Sequence, residues 1–152
     1  MFKWLGGLTG LLLAGVVVGY LFVCPCEQIP GGPLGGVGKA GQVDDWSFMN
    51  EVPLCQVQVD RGIPWSINLN CMATPAGDLY VSCSRCAGKS WSNTALERPA
   101  GYIRAGEDVY PVTLRRVTDS AELDTAWAAR AAKVGTDSAR PDHWWSFALT
   151  SR

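Results

Sequence analysis

The sequence predicts a mainly β, α+β domain, a small antiparallel barrel with one or two helices packed at its rim, preceded by a single membrane-crossing helix. Three observations predict it. An uncharged apolar run opens the chain, short alternating segments separated by turn residues fill residues 54–117, and one segment of helical period follows before a last alternating stretch.

Trp4–Val23 supplies about 20 apolar residues, the length that a bilayer-spanning helix needs. No small-residue cleavage pattern follows it, so the segment reads as an uncleaved anchor. Gly6 and Gly10, and again Gly15 and Gly19, stand four residues apart, where small residues let a second helix approach. Glycine is also simply common in such helices. Lys3 before the run and Glu27 after it favour a cytoplasmic N-terminus and a domain outside the cytoplasm, periplasmic in a bacterium.

The division that follows is an anchor over 1–23, a linker over 24–43 and a domain over 44–152. The linker is rich in proline and glycine and buries no apolar area by itself, so it either dangles or wraps over a protein surface. Val43–Pro53, with Asp44 or Asp45 as a cap, reads as a short helix or turn. Cys55, Val57 and Val59 then alternate with Gln56 and Gln58, and Trp65, Ile67, Leu69 and Cys71 alternate with Ser66, Asn68 and Asn70. Asp60-Arg-Gly62 between them makes the pair a hairpin.

Leu79, Val81 and Cys83 make a third strand, and Trp91–Leu96 is read as a fourth. Tyr102–Ala105 and Val109–Val117 form another hairpin across Gly106-Glu-Asp108. Asp119-Ser-Ala-Glu122 has the form of a capping box, so a helix starts there and stops at Gly135. His143–Leu149 closes the barrel.

Thirteen basic and 14 acidic residues leave no clustered basic face, which excludes nucleic acid as a partner. The single histidine, His143, makes neither a triad nor a histidine metal site persuasive. Six cysteines, Cys24, Cys26, Cys55, Cys71, Cys83 and Cys86, are candidates for disulfides outside the cytoplasm. Cys83 and Cys86 have the spacing of half a metal site, but Cys24 and Cys26 join them only if the linker folds back, so no metal is expected. Cys55 and Cys71 lie on the apolar faces of adjacent strands, to bridge or to pack as thiols.

The pattern Gly77-Asp-Leu-Tyr-Val81, Ser84-Arg-Cys-Ala-Gly-Lys89, Arg98-Pro99, Tyr102-Ile-Arg-Ala-Gly106 and Val109-Tyr-Pro-Val112, ending in Trp144–Phe147, resembles the FMN-binding split-barrel superfamily, which includes pyridoxamine-phosphate-oxidase-like proteins and deazaflavin-dependent nitroreductases. The resemblance spans about residues 52–152. It implies a small antiparallel split barrel, and a cofactor phosphate held by Arg85, Lys89 and Ser90, with Ser84, often across a dimer interface. An arginine fork and a lysine point charge suit a phosphate. The plain alternative is that both are solvated loop charges. A disulfide between Cys83 and Cys86 would reshape that loop.

Two functions follow. The favoured expectation is an accessory subunit of a larger membrane complex, contacting lipid and other transmembrane subunits and carrying no cofactor. Its alternative is a membrane-tethered oxidoreductase with FMN or a deazaflavin, as a homodimer.

Overall fold

The computed structural model describes residues 7, 9–16 and 30–152. Residues 9–16 are helical, and among the described residues no helix is long and apolar enough to cross a membrane. Gly10 and Gly15 have nothing within 4 Å of where a Cβ would stand. Most of the expected anchor, with Gly6 and Gly19, and also Cys24 and Cys26, lies outside the described residues.

Seven strands form one sheet: β1 (Val37–Gly38), β2 (Cys55–Asp60), β3 (Pro64–Ala73), β4 (Leu79–Ser84), β5 (Ala100–Ala105), β6 (Asp108–Arg116) and β7 (Trp144–Ser151). The spatial order is β1-β6-β5-β2-β3-β4-β7, and β6 also pairs with β7. That last pairing closes β2–β7 into an antiparallel barrel and leaves no long edge unpaired. Two helices, α1 (Ser90–Glu97) and α2 (Ser120–Val134), and a 3-10 turn at Ser47–Glu51 accompany the barrel.

The alternation read in the sequence sorts the two faces as the pleat requires. Cys55, Val57 and Val59 of β2 point inward and join Leu69, Cys71, Val81, Ile103, Val112, Leu114, Phe147 and Leu149. Trp46 and Met49 from the turn and Trp91 and Ala95 from α1 complete this core. Each such side chain contributes roughly 1.5–3 kcal/mol by leaving water. A second, smaller cluster forms on the outer face, where Met72, Tyr80 and Val117 meet Ala126 and Ala129 of α2. That is why β4 is buried on both faces.

The cap of α2 is as expected at Asp119, whose Oδ1 accepts from the Glu122 backbone N–H at 2.9 Å, and Gly135 ends the helix at φ +67°. The expected fourth strand at Trp91–Leu96 is instead helix α1. Trp91 and Ala95, one helical turn apart, are its buried apolar residues, and that spacing outweighs the weak alternation around them.

Residues 30–41 do not dangle. They lie as a strap on the polar outer face of the barrel: Gly31 N–H donates to the Ser66 carbonyl at 2.9 Å, Leu34 N–H to Gln58 Oε1 at 2.7 Å, and Arg104 Nη1 to the Gly35 carbonyl at 3.2 Å. Val37 and Lys39 then bond to Glu107 and Val109, making β1 parallel to β6. At Gly36, φ +141°, a Cβ would stand 2.5 Å from the Glu107 carbonyl oxygen, so only glycine permits this approach.

Candidate functional site

The four residues expected to hold a phosphate lie on the turn from β4 into α1. Ser84 ends β4, Lys89 is the N-cap of α1 and Ser90 is its first residue. Arg85 between them has φ +53°, the one described non-glycine residue with a positive φ, and its side chain is exposed. Lys89 is exposed as well, with Nζ donating to the Ser84 carbonyl at 3.2 Å.

Two devices hold the turn. Cys83 and Cys86 stand at disulfide distance with Cα atoms 5.8 Å apart, and Cys86 is fully buried. Ser92 Oγ donates to the Cys86 carbonyl at 2.6 Å, binding the start of α1 back to the loop. The disulfide therefore shapes the loop without removing its cations. No side chain caps α1, whose first N–H groups have no intrahelical acceptor. From Leu79 to Leu96 the chain carries no carboxylate, so nothing within the segment neutralises Arg85 and Lys89.

Cys55 and Cys71 are likewise paired, across adjacent strands: Leu69 faces Cys55 in the register, and Cys71 lies two residues further along β3 on the same face. Beside them, Lys133 of α2 reaches under the 3-10 turn and its Nζ donates to the carbonyls of Met49 (2.8 Å), Val52 (2.6 Å) and Cys71 (2.7 Å). Burial pulls the Lys133 ammonium below the ordinary lysine range, with the Glu51 carboxylate opposing. A groove of about 550 Å³ opens next to it, lined by Asn50, Thr74, Pro75 and the alanine face of α2.

A second crevice, of about 300 Å³, carries Tyr80, Arg115 and Glu122. Both Nη atoms of Arg115 donate to Glu122, which also accepts from the Tyr80 hydroxyl at 3.3 Å. The Arg115 bonds hold the Glu122 carboxyl below its usual range, and burial pushes the Tyr80 hydroxyl up. Neither cavity is lined by a residue of the 84–90 loop.

Register adds residues that sequence reasoning left out. Trp144 stands opposite Ser84 and Trp145 opposite Cys83, so the start of β7 adjoins the loop. Arg116 lies 3.6 Å from the Trp145 ring centroid, and Arg130 lies over Trp144 at 4.4 Å and Trp127 at 4.7 Å. The Trp144–Trp145 pair was visible in the sequence, but no local signal ties Arg116 or Arg130 to Ser84.

No family model matches the sequence, and no curated protein is significantly similar to it. Solved structures do match in fold. A candidate pyridoxamine 5'-phosphate oxidase from Listeria innocua superposes with a TM-score of 0.56 at 9% identity, over 69% of this chain and 88% of its own. A candidate 5-nitroimidazole antibiotic resistance protein from Bacteroides thetaiotaomicron gives 0.53 at 12% identity, over 75% and 91%. A NimC/NimA family protein from Clostridium acetobutylicum gives 0.50 at 14%, over 70% and 77%.

These neighbours correct the expectation that the domain carries no cofactor: their fold is the one that the sequence resemblance ties to FMN or a deazaflavin. The fold gives no support to the accessory-subunit expectation. The domain has the antiparallel split-barrel fold of pyridoxamine-phosphate-oxidase-like and NimC/NimA-like proteins.

Proposed function

We propose that this chain is a membrane-tethered, flavin-dependent oxidoreductase that binds the phosphate of FMN or a deazaflavin on the β4–α1 turn. One observation carries the proposal: two exposed cations, a hydroxyl and an uncapped helix start gather on one turn that has no carboxylate. Arg85 supplies a planar fork of donors, Lys89 a compact charge, and Ser90 and the first N–H groups of α1 short hydrogen bonds to oxyanions. The bound flavin would supply hydride-transfer chemistry that no side chain of the chain offers.

The tether is Trp4–Val23, and the domain works outside the cytoplasm, a placement that suits its two disulfides. Titration of the purified full chain with FMN and with a deazaflavin, followed by cofactor fluorescence, tests the reading. Each of Arg85→Ala and Lys89→Ala should weaken binding roughly tenfold or more, the worth of one charge-assisted hydrogen bond. A chain that binds neither cofactor, or variants that bind as well as the unaltered chain, would overturn it.

A further inference from the structure

Arg130 is held as a ligand side chain is held, yet it has nothing to hold. Its guanidinium occupies the corner between Trp127 and Trp144, whose rings meet at 72° with centroids 5.4 Å apart. Trp127 is itself fixed, because its Nε1–H donates to the Ser138 carbonyl at 2.8 Å. Indoles over its π face leave only the in-plane N–H groups for other partners.

Among the described residues those groups have none. The Nε atom of Arg130 is buried without a hydrogen-bond partner, and no carboxylate pairs with the side chain. Its helix neighbours at three and four residues are Ala126, Trp127, Lys133 and Val134, so α2 offers no acid. On the strand face beside it, Trp144 stands opposite Ser84, and Ser82 follows on the same side of β4. Ser82 is 2% exposed, and its hydroxyl is also unpartnered. Leaving buried polar groups unsatisfied is costly, and an incoming acceptor would relieve that cost.

We infer that Arg130, with Ser82 and Ser84 and the Trp127–Trp144 corner, forms an oxyanion subsite for a phosphate or carboxylate group. The subsite adjoins the β4–α1 turn and shares only Ser84 with it, using neither Arg85 nor Lys89. Its geometry stands without the flavin reading, and only the choice between two sources of the acid rests on it: a carboxylate in the tail of a deazaflavin, which FMN with its single phosphate lacks, or the acid of a substrate.

The test titrates the purified full chain with inorganic phosphate and follows indole emission. The unaltered chain should respond, Arg130→Gln should weaken the response at least tenfold, and Arg130→Lys, which keeps the charge but not the fork, should fall between them. Arg85→Ala/Lys89→Ala should leave the response in place. An Arg130→Gln or Arg130→Lys chain that is folded by near-ultraviolet circular dichroism and responds like the unaltered chain would overturn the subsite. So would a response lost with Arg85 and Lys89.

Repeating the titration at a saturating concentration of a deazaflavin with a carboxylate-bearing tail separates the sources. An unchanged response assigns the subsite to a substrate acid, whereas a response abolished by the deazaflavin, with its binding weakened in Arg130→Gln, assigns it to the cofactor. A chain that answers phosphate through Arg130 but binds no flavin keeps the subsite and sinks the oxidoreductase. One that binds flavin while Arg130→Gln changes nothing does the reverse.

Discussion

Replacing Lys133 by methionine should destabilise the domain by about 3 kcal/mol, and the figure follows from the three carbonyls that its ammonium serves. Methionine keeps the length and apolar stem but leaves the Met49, Val52 and Cys71 oxygens without their donor. A buried acceptor stripped of its partner costs about 1–3 kcal/mol. The groove beside Lys133 admits water to these oxygens, which places each near the lower end.

The lost bonds tie three separate pieces together: the 3-10 turn that contributes Met49 to the core, the end of β3, and α2. Equilibrium urea denaturation followed by tryptophan emission, under oxidising conditions that keep both disulfides, reads the effect directly. The midpoint should fall with the slope unchanged, and the melting temperature should drop by roughly 10 °C. A loss under about 1 kcal/mol would refute the reasoning, since it would mean that water replaces the ammonium at no cost.

Two further outcomes are expected. Converting Cys55 and Cys71 together to serine should cost about 3 kcal/mol, because the bridge closes a loop across a separation of 16 residues; denaturation of the double variant without reductant measures it. Glu122→Gln should cost roughly 0.5–1 kcal/mol at neutral pH, a small figure because Arg115 is largely exposed. Arg115 holds the folded-state carboxyl below its unfolded value, so this contribution is full above the ordinary glutamate range and disappears as pH falls through the lower, folded value. Stability curves of the two chains should therefore converge in acid, and a constant gap would exclude the ion pair as the cause.

Local pattern determined a good deal of this protein. The alternation of Cys55–Val59, Trp65–Cys71 and Leu79–Cys83 specified strands and their inner faces, because side chains on a pleated strand have a period of two and only one face is apolar. Asp119 and Gly135 marked both ends of α2 through orphan backbone groups, a purely local demand. The loop Ser84–Ser90 was legible as a candidate site because its charges and hydroxyls are contiguous in the chain.

Tertiary structure decided whatever depends on groups distant in sequence. The strap over residues 30–41 was ambiguous because its bonds are backbone groups meeting Gln58, Ser66 and Glu107, and a glycine-rich sequence carries no record of its acceptors. Trp91–Leu96 became a helix through packing of Trp91 against Phe147 in the core, a partner 56 residues away. Lys133, an ordinary charge in the last turn of α2, became a half-buried tie only when the 3-10 turn folded over it. Trp144, which Arg130 covers, came to stand opposite Ser84 through the register of β4 with β7, and register is a property of two strands that neither sequence segment contains alone.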